Sequence, residues 1–437
     1  MAAWVLPGGV EPASAAGSTW NHPRPYSGMV ESPGIHDELE FEMKLSRRVT
    51  DLPPYLFAQI DRARDEARER GLEVVSMGIA DPDLKPPEWL YDILAEEIRR
   101  PSFHRYPDYR GLPELHSAIA TWMGERFGVS DLDPKRELIT LVGGKEGVAH
   151  FAWAVCDPGD VALVPEPAYP VYDTNCRYAG AEVHFMPLTR ENGFLPDLGA
   201  IPEGVARRAA LMYLNYPNNP TGATAPHEFY QEVVDFATKY DIAVAADNPY
   251  SEVYYAPEVK PISILEIPGA KDIAVEFNSF SKFFNMTGWR IGWAAGNARL
   301  IEALLTVKSN VDSGAFNAIQ GALARALGHP EREEWLDANR VRHRARRDMV
   351  AEALDEMGIW HPNPRATYYF WCRLPDGFTD SVKFASELLG ETGFVVGPGA
   401  AYGPHGEGYF RLSITTPEEE IEKGMAKLKE FLTGRRE

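Results

Sequence analysis

The chain has 437 residues, 44% hydrophobic and 25% charged, with a formal net charge of -20; this suits roughly two domains with buried cores rather than disorder. The acidic balance argues against nucleic acid or an anionic membrane as a partner, since both attract basic surfaces. Three cysteines, Cys156, Cys176 and Cys372, without a CxxC pair exclude a disulfide framework or structural zinc as the expected scaffold.

Residues 1–45 are rich in Pro, Gly, Ser and Ala and lack periodicity, which predicts a flexible or surface-wrapping arm. No basic stretch leads into an apolar one there, and no run of about eighteen apolar residues occurs, so a soluble cytoplasmic protein is expected. An amphipathic helix follows at Leu56 to Arg70, then a strand at Val74 to Gly78 and a Pro-rich loop from Asp81 to Pro87. Acidic residues alternate with Arg at helical spacing in Asp61 to Arg70 and Glu331 to Asp348, the pattern of solvated faces.

Short apolar strands are predicted at Leu138 to Val142, Val161 to Val164, Val183 to Met186, Ala209 to Leu214, Ile242 to Ala246, Ile273 to Phe277 and Ile291 to Ala295, with helical segments between them. Strands apolar on both faces and separated by helices predict an α/β domain, a mainly parallel seven-stranded sheet covered on both sides. After about residue 322 come long charged helices around Arg332 to Met357, strands at Tyr368 to Leu374 and Gly408 to Ile414, and a helix near Ser381 to Gly390. A smaller α+β domain is expected from residues 46–81 and 323–437, beside a large domain over 82–322.

Ligands of such sheets bind outside the carboxyl ends of the strands. Leu138 to Val142 runs into Gly143, Gly144, Lys145, Glu146 and Gly147, a turn whose backbone N–H groups and lysine suit an anion, although glycine at such a turn is commonly only steric. Ala209 to Leu214 ends in NYPNNPTG at Asn215 to Gly222, and Ile242 to Ala246 delivers Asp247, then Tyr250; turn formation and helix capping account for either alone. Ile273 to Phe277 runs into Ser279, Ser281 and Lys282, with Arg290 following. A lone lysine there would be a surface charge; four strand ends supplying a phosphate turn, an amide, a carboxylate and a Ser-x-Ser-Lys cluster form a set.

The set resembles the fold-type I pyridoxal-phosphate aminotransferases of class I/II, on NPTG at Asn219 to Gly222, Asp247 with Tyr250, SFSK, and GWRIG around Arg290, over about Tyr55 to Arg411. The resemblance implies that Lys282 carries pyridoxal 5'-phosphate and acts as the catalytic base, with Asp247 facing the ring nitrogen and Asn219 and Tyr250 on its 3′ oxygen. It implies that Gly144, Lys145, Ser279, Ser281 and Arg290 bind the phosphate, that Tyr169 stacks on the ring, and that Arg411 grips the substrate carboxylate. Tyr106 matches a tyrosine that reaches the neighbouring subunit's phosphate, so a homodimer is implied.

The stretch Val307 to Gln320, with LPPYLF at Leu52 to Phe57 and the KEG turn at Lys145 to Gly147, looks most like bacterial LL-diaminopimelate aminotransferases. That likeness implies substrate or cofactor contacts at Tyr55 and Asn310 and 2-oxoglutarate as amino acceptor. Two departures stand out: Ala80 replaces a glycine near the substrate carboxylate, and Gly144 replaces a serine. Aspartate or alanine aminotransferases and C–S lyases share this cofactor set. A non-catalytic DNA-binding regulator would need a basic reading module that the first fifty residues lack.

Overall fold

Residues 44–52 and 56–435 are described by the structure, a computed structural model. They fall into two units, the first ending at Asp51 and the second spanning Leu52–Glu437. In the first, a helical turn at Arg47–Thr50 is capped by Ser46, whose side chain accepts from the Arg48 amide. Of the expected N-terminal arm, residues 1–43 lie outside the described residues.

The second unit carries strands β1 (Val75–Ser76), β2 (Leu138–Leu141), β3 (Val161–Glu166), β4 (Glu182–Pro187), β5 (Ala209–Asn215), β6 (Ala243–Asp247), β7 (Ala274–Ser279) and β8 (Gly292–Gly296), then β9 (Tyr369–Arg373), β10 (Phe394–Val395), β11 (Gly397–Pro398) and β12 (Tyr409–Ser413). Seven form one sheet in the order β2-β8-β7-β6-β5-β3-β4. All neighbours run parallel except β8, which is antiparallel to β2 and β7. Between β7 and β8, residues 280–291 hold two short helical turns and no full crossover helix, and the chain returns antiparallel.

Both faces of the sheet are buried, as the unbroken apolar runs require. In β5, Leu211 and Tyr213 pack with Phe151 and Phe277 on one side, while Met212 and Leu214 join Trp122 and Trp293 on the other. The predicted strand at Val74 to Gly78 shortens to Val75–Ser76, which pairs in parallel with β10 far along the chain. Two small sheets thus form, β1 with β10 and the antiparallel β11-β12-β9.

The solvated-face expectation for Glu331 to Asp348 holds for its acidic residues, all of them exposed, and is corrected at two arginines. In the helix Arg332–Met357, Arg340, His343 and Arg346 are buried. Arg340 and Arg126 both pair with the buried Glu252, and Arg346 donates to Asp83 at 2.7 and 2.9 Å and to Glu418 at 3.0 Å. Charge counted along the sequence carries no information on which arginine finds a carboxylate across the chain. Arg346 therefore fastens the Asp81 to Pro87 loop to the C-terminal helix Glu418–Thr433. Because its side chain is 2% exposed, Arg346→Met should destabilise the protein by about 3 kcal/mol, chiefly by stranding Asp83; the midpoint of urea unfolding measures this, and an unshifted midpoint would contradict it.

Candidate active site

The carboxyl ends of β5, β6 and β7 and the turn after β2 bring most of the expected residues to one edge of the large sheet. The helix after β2 starts at Gly144, inside the stretch that the sequence reads as a turn, so Gly144 and Lys145 lie in its first turn. Gly143 precedes it with φ 83° and provides no side-chain cap. A β-carbon at Gly143 would collide with Arg290 Nη2, so glycine is what lets the guanidinium lie against this turn. At Gly292 a β-carbon would meet the Asn278 carbonyl at 2.6 Å and the Gly144 nitrogen at 2.9 Å.

Opposite that turn, Ser279 accepts from the Ser281 amide at 3.2 Å, and both serines are buried. Arg290, itself at φ 53°, donates to the Thr287 carbonyl at 2.7 Å. Burial, and then the Arg290 charge, lower the Lys145 pKa. Two cations, two hydroxyls and a helix N-terminus on one spot can bind a phosphate-sized dianion, which would relieve their mutual repulsion.

Asn215 at the end of β5 organises the next turn. Its amide donates to the Asp247 carbonyl at 2.7 Å and its oxygen accepts the Asn219 N–H at 2.8 Å. Asn218 closes the loop by accepting from the Thr221 amide and hydroxyl at 3.0 and 2.7 Å. So fixed, Asn219 accepts from Arg411 Nη1 at 2.7 Å, while Arg411 Nη2 donates to the Gly78 carbonyl at 2.7 Å. The Arg411 guanidinium sits 4.3 Å from the Tyr369 ring centroid and 4.9 Å from that of Tyr402, and its buried Nε has no protein partner among the described residues. That donor is suited to a carboxylate entering the site.

Asp247 is buried, and desolvation pushes its carboxyl up to about 6 against a 2.6 Å hydrogen bond donated by the Tyr172 hydroxyl, which pulls it down. Tyr172 stacks on Tyr213 with centroids 4.8 Å apart. The Tyr250 and Tyr369 hydroxyls lie 2.5 Å apart. Tyr172, Tyr369 and Tyr402 are not foreseen from the sequence. Tyr172 follows Tyr169 by three positions at a helix start, a spacing that could have flagged it; the other two reach the site by tertiary packing alone.

Lys282 lies in the helical turn Phe280–Phe283 and donates to the Ala80 carbonyl at 3.1 Å. Burial lowers its pKa to about 8; Asp81 opposes this, whereas Arg411 and Arg290 add to it. Its amine is therefore far closer to neutrality at physiological pH than a surface lysine, as a nucleophile requires. Ala80 meets Lys282 through its carbonyl, and its side chain packs on the buried cluster around β9 and β12.

Tyr169 packs edge-on against Tyr172 at 6.0 Å, with Lys145 Nζ 5.6 Å from its ring centroid. Two expected residues are not brought into this cluster: Tyr106 is 88% exposed, and Asn310 sits on the exposed face of the helix Ala298–Val311, bonded to the Thr306 carbonyl. Tyr55 lies outside the described residues.

A family model described as aminotransferase class I and II matches residues 73–428. An LL-diaminopimelate aminotransferase of Moorella thermoacetica is 50% identical over 391 residues, covering 89% of this chain and 99% of that one. Among solved structures, substrate-bound BacF of Bacillus subtilis superposes with a TM-score of 0.84 at 34% identity, over 89% of this chain and 98% of its own. A probable N-succinyldiaminopimelate aminotransferase of Thermus thermophilus gives 0.80 at 37%, over 86% and 99%.

The folded-state pKa of Asp247 lies above its ordinary 3.8, so its penalty is absent at low pH and grows as pH rises through about 6. In cofactor-free protein, Asp247→Asn should gain stability relative to the parent by about 2 kcal/mol between about pH 4 and pH 8. Unfolding free energies at the two pH values test this; an equal difference at both would mean the carboxyl titrates normally.

Proposed function

The chain belongs to the aminotransferase class I and II family, and from that premise we propose that it transfers an amino group from LL-diaminopimelate to 2-oxoglutarate using pyridoxal 5'-phosphate carried on Lys282. The observation that carries the reading is a buried lysine of lowered basicity at the edge where a buried carboxylate, an anion cradle and a carboxylate-binding arginine converge. The substrate rests on the name of a 50% identical relative that the chain matches over nearly its full length.

The residues fit this cofactor. Asp247 has no cation pushing its pKa down, so a protonated ring nitrogen would supply the missing countercharge. The missing side chain at Gly143 lets Arg290 lie against this turn, so that Ser279, Ser281, Arg290 and the Gly144 and Lys145 backbone would hold the phosphate together. Bound there, pyridoxal phosphate supplies an electron-accepting ring to the carbon being deprotonated.

Asp247, aided by Tyr172, would keep the ring nitrogen protonated. Asn219, Tyr250 and Tyr169 would hold the ring. Lys282 Nζ would hold the cofactor and would move a proton to and from the substrate Cα. Arg411 orients the α-carboxylate, and Ala80 borders the same space. We further propose a two-domain division at about residues 82 and 322, and a cytoplasmic homodimer in which Tyr106 serves the neighbouring subunit's site, with Tyr55 and Asn310 contacting substrate or cofactor. Support for the dimer comes from the exposure of Tyr106, Tyr109, Val311 and Phe316, and for the compartment from three buried free cysteines. No helix among the described residues is long and apolar enough to cross a membrane.

Incubated with pyridoxal phosphate, the protein should gain a visible absorption band that borohydride bleaches, and Lys282→Ala should lose both the band and at least about a thousandfold in kcat. A donor panel of LL-diaminopimelate, aspartate and alanine with 2-oxoglutarate separates the substrate from the reaction class. Turnover of aspartate without diaminopimelate would refute the substrate, and a colourless protein would refute the cofactor. Tyr172→Phe should lower kcat about tenfold while leaving KM within about twofold, because it removes the hydrogen bond that favours the ionised Asp247; unchanged kcat would show that bond to be idle.

A further inference from the structure

Outside the Lys282 cluster, Glu146, His150 and Asp312 bring three potential ligand atoms within 4.8 Å of one another. The cation they enclose is already part of the chain. Lys308, fully buried on the helix Ala298–Val311, donates to Glu146 at 3.2 Å and to both Asp312 oxygens at 2.8 Å. His150 Nδ1 lies 2.7 Å from the other Glu146 oxygen.

Both carboxylates do a second job on the backbone. Glu146 reaches back to accept the Val142 N–H at 2.9 Å, spanning Gly143, Gly144 and Lys145. Gly143 has no side chain to cap the helix, so this reach-back bond sets the shape of the turn. Asp312 accepts the Gly314 N–H at 2.7 Å. Gly314, at φ 91°, lies so close to Pro107 and Asp108 that a β-carbon would stand 2.8 Å from Pro107 Cγ. The segment carrying Tyr106 thus rests on the loop that Asp312 shapes.

We infer that Lys308 is a positioning residue that holds the anion-binding turn at Gly143–Lys145 through Glu146 and, through Asp312 and Gly314, the loop bearing Tyr106. The inference rests on the proposed cofactor reading. Should Tyr106 serve a neighbouring subunit, one buried ammonium would tie the phosphate grip of each site to the loop completing the other. Losing the ammonium frees the Glu146 side chain to turn toward water, and the Val142 to Lys145 backbone then relaxes.

The test uses full-length protein freed of cofactor and titrated with pyridoxal phosphate and, separately, with pyridoxal, which can react with Lys282 but has no phosphate. In Lys308→Met and in Glu146→Gln, affinity for pyridoxal phosphate should fall about tenfold, while affinity for pyridoxal stays within about twofold. The double variant should be little worse than Lys308→Met, because the two act as one unit. Amide exchange over residues 106–111 should quicken in Lys308→Met. Equal loss for both compounds, or loss for neither, overturns the role at the turn; unchanged exchange overturns the link to Tyr106. If Lys308→Met does not fold, Glu146→Gln alone decides the first limb. Parent protein that reacts with neither compound would instead refute the cofactor reading.

Discussion

Desolvation of two opposite charges governs this site. Lys282 is bonded to the Ala80 carbonyl and Asp247 to the Tyr172 hydroxyl, each a neutral partner. Burial accordingly moves both toward their uncharged forms, the amine down to about 8 and the carboxyl up to about 6. An amine held so is ready to attack a carbonyl carbon, and a carboxyl held so gains most from a cation placed before it.

The rigid sheet makes that arrangement possible. In register, Asn215 lies beside Asp247 on the neighbouring strand, and the Asn215 side chain binds both the Asp247 carbonyl and the Asn219 amide. One asparagine therefore fixes the Asp247 backbone and the turn that meets Arg411. The other wall is built from distant chain: Arg411 on β12 spans Asn219 and Gly78, while Arg346 secures the adjoining Asp83 loop. The wall around Arg411 thus depends on contacts between segments hundreds of positions apart, whereas the cluster around Arg290 depends mostly on turns that directly follow a strand.

That division matches what could be read in advance. Lys282, Asp247, Asn219, Ser279 and Arg290 were legible because each lies close to the end of a strand marked by its apolar run, and strand ends are where such sheets bind ligands. Tyr172, Tyr369, Tyr402 and Lys308 were not. A tyrosine in an apolar stretch has the signature of core, and a lysine among helical charges has that of a solvated face; only a partner from another segment changes either reading. The same blindness produced the wrong expectation for Arg340 and Arg346.

By itself the sequence determined the α/β class, the strand ends and the residue types lining one sheet edge, because hydrophobic period and turn chemistry are local properties of the chain. Only the tertiary structure decided that β8 runs antiparallel, that Val75 and Ser76 pair with β10, and that Glu146 and Asp312 share the ammonium of Lys308. These depend on which distant groups meet once water is expelled, and no local pattern encodes the partner of a buried charge.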